Sequence, residues 1–297
     1  MKAYLIDKDP TGKASGRWAD LEPSRLDPGE LTLRVLYSSV NYKDALAATG
    51  AGKIIRRSPC VGGIDMVGEV LESTDPRFKP GESVIATSFD LGVAHHGGFA
   101  ELARVPAAWA VPLPAGMTPF ESMALGTAGF TAGLAIVRME QNGLAPGNGP
   151  VVVSGATRGV GSLATNMLAK LGDGVVALTR KSQEEAYLKE LGAARIQSTA
   201  DLKLDQVRPM EAAQWAGAVD NVGGAVLHWL LATGKQAGTV ASIGNAGSVD
   251  LHSTVFPFTL PGVSLLGVDT GYMGFPTRAE VWQRLAGDLK PTCMQKI

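Results

Sequence analysis

The hydrophobic and polar positions of the chain follow two different rhythms. Over residues 1–118, short apolar runs end at Gly and Pro, and the 3.6-residue spacing of a helix persists only briefly, after Asn41. From Thr118 onward, helical apolar spacing alternates with short β-branched runs. The pattern therefore predicts a β-rich, barrel-like domain followed, over residues 119–268, by a doubly wound parallel α/β sheet.

Turn residues and spacing set the predicted elements. Thr118-Pro119-Phe120-Glu121 is a capping box with Pro at the first helical position, so a helix is predicted to begin there. Further helices are predicted over residues 128–139, 183–191 and 225–233. The predicted strands cover residues 3–6, 31–38, 66–71, 83–87, 99–105, 110–113, 174–179, 194–197, 217–221, 238–243 and 263–268.

The stretch VVVSGATRGVGSLATNMLAKLG, residues 151–172, runs from β-branched residues through small residues into an apolar helix. This order matches the strand, phosphate loop and first helix of a dinucleotide-binding unit. Gly159 is expected to permit the tight turn, Gly161 to let the backbone approach a pyrophosphate, and Ala164 to pack the helix on its strand. A plain structural turn is the alternative, but the flanking strand and helix favour a pyrophosphate on the helix amino terminus.

The strand over residues 174–179 is expected to end beside the adenosine ribose. NAD sites usually place Asp or Glu there, whereas this chain has Thr179-Arg180-Lys181-Ser182. A cationic pair flanked by hydroxyls favours a 2′-phosphate, because charge-assisted bonds to a dianion are stronger than bonds to a neutral hydroxyl. NADPH is therefore predicted over NADH, the alternative being that Arg180 and Lys181 are solvated at the start of a loop.

Composition narrows the possible partners. The 297 residues carry 27 basic and 28 acidic side chains, and this net charge of −1 gives no electrostatic case for nucleic acid or an anionic membrane. The two cysteines, Cys60 and Cys293, cannot form a disulfide framework or a four-ligand zinc site. The apolar run at the amino terminus is too short for a secretory signal, and no stretch is expected to span a membrane. A cytoplasmic location is the default.

The last residues predict a helix and an interface. Thr277-Arg278-Ala279-Glu280 matches a second capping box, and Trp282 and Leu285 follow on an apolar face that needs a cover. The strand over residues 263–268 is predicted at the edge of the parallel sheet, where it can pair with a second copy, so a homodimer is expected.

Several long sequence segments are similar to those of a known family. They resemble the acrylyl-CoA reductase branch of the medium-chain dehydrogenase/reductase superfamily, which is zinc-independent and NADPH-dependent and includes many proteins called quinone oxidoreductases. The resemblance runs from about residue 1 to 290 and implies a GroES-like substrate domain (1–118), a Rossmann domain (119–268) and a return segment (269–297). The strings are SSVNYKDALAATGAGKIIRRSP, GGIDMVGEV, HHGGFAELARV, LGTAGFTA, WAGAVDNVGG and LLGVDTGY.

The resemblance also implies cofactor residues. Two positions depart from the family pattern, since Thr199 stands where the family has a basic residue that binds phosphate, and Arg158 stands where small residues are usual. Relatives also continue past the position of Ile297 with strands that return to the first domain. The resemblance therefore implies either an apparently truncated chain, with uncovered apolar area and lower turnover, or a first domain that closes differently. The implied NADPH-binding residues are Tyr42, Thr157, Arg158, Gly159, Val160, Gly161, Thr179, Arg180, Lys181, Asn245 and Thr270.

The implied activity is hydride transfer from NADPH to an activated alkene, with acryloyl-CoA reduced to propionyl-CoA as the family's version. Asn41 and Tyr42 are the candidates for orientation and hydrogen-bond donation, with Asp44 holding the loop; Asn41 and Asp44 acting only as turn caps is the alternative. The positions of the family's zinc ligands hold residues 41–44 and 63–65 instead, so no metal is expected. A quinone reductase and a non-enzymatic NADPH-binding protein remain as rivals.

Overall fold

The computed structural model describes residues 1–297, except for the side chain of Ser182. The chain forms two compact units. Unit 1 contains residues 1–127 and 270–286, and unit 2 contains residues 128–269 and 287–297.

Unit 1 is built from short antiparallel strands, as the Gly- and Pro-punctuated pattern predicts. Its helices are α1 (Tyr42–Thr49), the start of α2 (Pro119–Gln141) and α7 (Phe275–Ala286). Its strands are β1 (Lys2–Lys8), β2 (Ala14–Asp20), β3 (Leu31–Tyr37), β4 (Cys60–Val61), β5 (Asp65–Ser73), β6 (Ser83–Thr87), β7 (Leu102–Val105) and β8 (Ala110–Pro112).

These strands form two sheets. Five strands lie in the order β7-β3-β5-β6-β8, and three lie in the order β2-β1-β4. Alternate residues of the larger sheet, such as Leu31, Leu33 and Met66, are completely buried and form its core. The strands over 31–38, 66–71 and 83–87 are confirmed, whereas β2 and β4 were not predicted.

Unit 2 alternates strands and helices, as the second rhythm predicts. Its helices after α2 are α3 (Gly159–Leu171), α4 (Glu185–Glu190), α5 (Gly224–Ala232) and α6 (Phe256–Thr259). Its strands are β9 (Val151–Ser154), β10 (Val175–Thr179), β11 (Arg195–Ser198), β12 (Trp215–Asp220), β13 (Gly234–Ser242) and β14 (Ser264–Gly267).

The six strands of unit 2 form one parallel sheet in the order β11-β10-β9-β12-β13-β14. The order reverses direction between β9 and β12, so the predicted doubly wound sheet is confirmed and its switch point lies between these two strands. Strand β14 is at the edge, as predicted.

Helix α2 begins at the predicted capping box. The Thr118 N–H donates to Glu121 Oε2 at 2.8 Å, and the Glu121 N–H donates to Thr118 Oγ1 at 3.1 Å. By length and composition alone it would suffice to cross a membrane, which corrects the expectation that no stretch reaches membrane-spanning length. However, 72% of its most apolar window is buried inside the protein, as in the core helix of a globular domain.

Two expectations about the last residues are wrong. Helix α7 begins at Phe275, so Thr277 lies inside its first turn and is not the cap. Trp282 and Leu285 are completely buried within unit 1, so the expected uncovered apolar face is not there. The apolar side of α7 packs on β8, a strand far away in sequence, and local pattern cannot show that contact.

Candidate functional site

The glycine loop of unit 2 connects β9 to α3. Arg158 is the N-cap residue of α3, and its carbonyl accepts the Ser162 N–H at 2.7 Å. The amides of Gly159, Val160 and Gly161 belong to the first turn, where an α-helix offers no partner of its own. These free donors and the helix dipole form an anion site of the kind that holds a pyrophosphate, with Thr157 half-buried beside it.

In the structure, two of the loop glycines have roles that differ from the predicted ones. The left-handed residue of the turn is Gly155, with φ of 60°, and Gly159 opens the helix. A Cβ on Gly161 would lie 2.3 Å from the carbonyl oxygen of Gly155, so this glycine is required by the loop's own packing. Ala164 is completely buried on the sheet side of α3, as predicted.

The cationic pair predicted for the 2′-phosphate follows the end of β10. Thr179 is buried, and its hydroxyl oxygen accepts the Lys181 N–H at 3.0 Å, which shapes the turn. Arg180 and Lys181 are both exposed. The side chain of Ser182 lies outside the described residues. Thr179 also borders a cavity of 210 Å³ that extends along β11 to Ser198.

A buried polar network joins β9 and β12 at the switch point. Asp220 Oδ1 accepts from Ser154 Oγ at 2.6 Å, and Oδ2 accepts the Gly223 N–H at 2.9 Å. Asn221 returns a hydrogen bond to the Ser154 carbonyl at 2.7 Å. Burial raises the pKa of Asp220, although these donors oppose the shift. The network was not predicted.

The loop that carries Asn245 follows β13 in the same part of unit 2. The Gly244 N–H donates to the Asp220 carbonyl at 3.2 Å, and the Gly247 N–H donates to the Val222 carbonyl at 2.8 Å. Asn245 itself is exposed. The loops after β12 and β13 therefore lie together at the carboxyl ends of the strands, where ligands of open α/β sheets bind.

In unit 1, Asn41, Tyr42 and Asp44 lie at the amino terminus of α1. Asn41 is the N-cap, and its backbone N–H donates to Asp44 Oδ2 at 2.8 Å. Asp44 is 4% exposed, its Oδ1 accepts the Ile64 N–H at 3.0 Å, and burial raises its pKa. Asp44 thus ties the loop to the segment before β5. Tyr42 is 80% exposed.

A second carboxylate beside this loop was missed. Asp65 is completely buried at the start of β5, and its oxygens accept from Ser39 Oγ at 2.7 Å, Asn41 Nδ2 at 2.9 Å, and Thr127 N and Oγ1 at 2.7 and 2.5 Å. The sequence distance to Thr127 is 62 residues, so no local pattern could reveal the contact.

Thr270 is placed by a buried arginine. The guanidinium of Arg278 is 1% exposed and donates to the Thr270 carbonyl at 3.0 Å and to Thr87 Oγ1 at 2.8 Å. It also lies over the ring of Phe89, 4.5 Å from the centroid. The sequence predicts Arg278 only as part of a capping box, and its role in fixing the Thr270 segment was missed.

In sequence and fold, the chain matches known protein domains and relatives. The alcohol dehydrogenase GroES-like domain matches residues 27–115, and the zinc-binding dehydrogenase domain matches residues 159–287. The chain is 45% identical over 290 residues to acrylyl-CoA reductase AcuI of Ruegeria pomeroyi, covering 97% of this chain and 88% of that protein. The chain belongs to the medium-chain dehydrogenase/reductase family.

Two further members of this family have solved structures that resemble it closely. YhfP of Bacillus subtilis, described as a putative quinone oxidoreductase, is 48% identical over 259 residues, which is 87% of this chain and 78% of that protein. Its crystal structure with NAD bound superimposes with a TM-score of 0.96 over 100% of this chain and 90% of that one. The structure of the yhdH oxidoreductase of Salmonella enterica in complex with NADP, which is 46% identical, superimposes with a TM-score of 0.95. The match covers 99% of this chain and 90% of that one. This chain is accordingly an oxidoreductase of the medium-chain family.

The ring nitrogens of the adjacent histidines His95 and His96 have partners within the protein. His95 ring nitrogens lie 3.0 and 3.2 Å from the carbonyl oxygens of His96 and Pro28, whereas His96 Nδ1 accepts the Val61 N–H at 2.9 Å. Among the described side chains, no group of three or more His, Cys, Asp or Glu is placed to hold a metal ion. Zinc independence stays a prediction.

The described residues fit a nicotinamide dinucleotide. Unit 2 offers free amides at α3, a glycine loop too tight for a side chain at Gly161, and the exposed cations of Arg180 and Lys181. These donors match the pyrophosphate and the 2′-phosphate of NADPH in charge and in hydrogen-bonding character.

Proposed function

We propose that the chain is an NADPH-dependent reductase of activated alkenes, with acryloyl-CoA as the leading substrate. The observation that carries the proposal is the 45% identity to an acrylyl-CoA reductase over 97% of the chain. The amide cluster at α3 and the Arg180–Lys181 pair support the cofactor choice. In this proposal residues 1–118 bind substrate, 119–268 bind NADPH, and 269–297 are a return segment.

The proposed cofactor contacts fall into three groups, which bind the pyrophosphate, the 2′-phosphate and the nicotinamide. Thr157, Arg158 and the amides of Gly159, Val160 and Gly161 hold the pyrophosphate, and Arg158 adds a cation where the family usually has a small residue. Thr179, Arg180 and Lys181 hold the 2′-phosphate, and either Arg158 or Lys181 serves in place of the basic residue that the family has at the position of Thr199. Tyr42, Asn245 and Thr270 are proposed at the nicotinamide end.

The proposed chemistry requires donors near the substrate carbonyl. Bound NADPH supplies a hydride, and addition at the β-carbon of a conjugated thioester leaves negative charge on the carbonyl oxygen. Asn41 and Tyr42 are proposed to donate hydrogen bonds there, because a fixed amide N–H and a phenol stabilise that charge more in the transition state than in the ground state. Asp44 holds Asn41 in place, because its carboxylate accepts the hydrogen bond of the Asn41 backbone N–H.

A quinone is the second candidate acceptor. The 48% identity to a putative quinone oxidoreductase favours it, and the same cofactor residues would serve both acceptors. We further propose a cytoplasmic location, which both cysteines, as free thiols, support.

The experiment is an assay of NADPH oxidation with a panel of acceptors. Acryloyl-CoA and longer enoyl-CoAs are compared with simple quinones at equal concentrations, and NADH replaces NADPH in a parallel series. We expect the highest kcat/KM with acryloyl-CoA and NADPH. A higher kcat/KM with quinones would replace the first candidate with the second, and cofactor binding without turnover of either class would refute both.

A further inference from the structure

The carboxylate of Asp65 is completely buried, yet its four donors are neutral groups: two side-chain hydroxyls, one side-chain amide and one backbone N–H. A buried carboxylate is costly unless such donors are held in place around it. The donors come from the segment after β3 and from Thr127 in α2, so Asp65 fixes two segments distant in sequence.

The contact also decides the orientation of the Asn41 amide. All four groups around Asp65 point donors at its oxygens, and the Nδ2 group of Asn41 is one of them, at 2.9 Å from Oδ2. The same side chain also takes part in the capping box of α1, in which its partner is Asp44. Because the backbone N–H of Asn41 is held by Asp44 at 2.8 Å, two different carboxylates fix this residue at two points.

The backbone of α2 is shaped to admit this carboxylate. Gly126 departs from helical geometry with φ of 49°, and a Cβ there would lie 2.8 Å from Asp65 Oδ2 and 2.5 Å from Ser39 Oγ. Any side chain would push the carboxylate or the serine away. The kink also presents the Thr127 N–H and hydroxyl to Asp65. The departure from helical geometry at Gly126 therefore makes these contacts possible. The Asp65 cluster consists of Ser39, Asn41, Asp65, Gly126 and Thr127.

We propose that Asp65 is a positioning residue of the reduction, acting through Asn41. It holds the Asn41 side chain in one orientation, so that Asn41 and the adjacent Tyr42 are held in place as the residues that orient the substrate carbonyl oxygen. The proposal rests on the proposed function. A fixed donor loses little freedom as charge develops on the oxygen, whereas a mobile amide must be ordered during the reaction.

The test is a double-mutant cycle with Asp65→Asn and Asn41→Ala. Asn at position 65 keeps one acceptor oxygen but replaces the other by an NH2 group, so the hold of this side chain on the Asn41 amide is weakened. We expect Asp65→Asn to lower kcat by up to about 100-fold while the Kd for NADPH changes little. In the Asn41→Ala background the same substitution should have almost no further effect on kcat. Additive losses in an active enzyme would overturn the proposal.

Asp27→Asn is the matched control, since it also neutralises a buried carboxylate of unit 1. Asp27 is 9% exposed and accepts hydrogen bonds from Arg57 and from the His96 N–H, and it is no part of the Asp65 cluster. We expect this variant to lower Tm and leave kcat unchanged. An equal loss of kcat in Asp27→Asn and Asp65→Asn would show that any buried carboxylate matters in the same way.

Two further measurements keep the test decisive. If Asp65→Asn does not fold, Gly126→Ala displaces the same carboxylate, and its effect on kcat should also vanish in the Asn41→Ala background. The side-chain amide protons of Asn41, assigned by NMR through their loss in Asn41→Ala, should shift in either variant; unchanged resonances would refute the contact. A wild-type chain that reduces neither enoyl-CoA nor quinone refutes the proposed function instead.

Discussion

Buried carboxylates organise the residues around the candidate site. Asp44, Asp65 and Asp220 are 4%, 0% and 0% exposed, and each accepts hydrogen bonds from a loop that carries a proposed binding residue or lies beside one. Such groups are stable only where their donors are fixed, so they specify loop geometry more strictly than apolar contacts do. Exposed cations, by contrast, are free to meet a ligand.

The 2′-phosphate assignment predicts a cofactor preference that two substitutions should reverse. Replacing Arg180 by Asp and Lys181 by Ala removes two charge-assisted contacts and adds a repulsive charge, so NADPH binding should weaken by a few kcal/mol while NADH binding changes little. Fluorescence titration gives both Kd values. Arg208→Ala, an exposed cation of unit 2 paired with Glu211, is the control. An unchanged preference for NADPH would assign the phosphate to another residue.

The two thiols should differ in reactivity with pH. Cys60 is completely buried, and burial raises its pKa to about 12, so almost no thiolate forms near neutral pH. Cys293 is partly exposed. A disulfide reagent at pH 8 should therefore modify one thiol rapidly and the second only after denaturation, with the slow reaction accelerating as pH rises toward 12. Rapid modification of both thiols in the native protein would contradict the burial of Cys60.

At the scale of elements, the sequence predicts what is local. The β9–α3 unit and strands β3, β5 and β6 follow from spacing and turn residues within each segment. Strand β2 was missed because most of its side chains are exposed and it carries little apolar pattern. Helix α6 has four residues, too few for a helical period. The Asp65 and Arg278 contacts join residues up to 191 positions apart, so only the fold reveals them.

The glycine loop gives an element-scale prediction. In Gly161→Val the branched side chain would meet the Gly155 carbonyl, which lies 2.3 Å from an added Cβ, so the loop and the first turn of α3 must move. NADPH binding should be lost, and Tm should fall somewhat because the clash is with backbone. Gly174→Val is the control, since an added Cβ there meets nothing within 4 Å. Normal NADPH affinity in Gly161→Val would refute the loop assignment.

At the scale of the whole molecule, we predict that the proposed reduction proceeds without zinc. The carboxylates nearest the family's zinc-ligand positions, Asp44 and Asp65, are occupied by backbone, hydroxyl and amide donors. Incubation with a zinc chelator should therefore leave kcat/KM unchanged, with metal content measured in the same sample. A rate that falls with the chelator and returns with added zinc would contradict a metal-free mechanism.

Assembly is the last prediction. Strand β14 ends the parallel sheet at an edge, and the segment before it exposes a group of large apolar side chains, which favours pairing with a second copy about a two-fold axis. This apolar segment consists of Val249, Leu251, Val255, Phe256, Phe258 and Leu260, with exposed fractions from 37% to 77%.

We expect sedimentation at micromolar concentration to give twice the chain mass of 30.9 kDa. A charge placed in the apolar segment must be desolvated on pairing, so Phe256→Glu and Leu260→Glu should each shift the equilibrium toward monomer. Val40→Glu charges a still more exposed apolar residue of unit 1 and should leave the dimer intact. A wild-type chain that sediments only as a monomer would refute the dimer. A dimer that is lost in Val40→Glu and kept in Phe256→Glu would place the interface elsewhere.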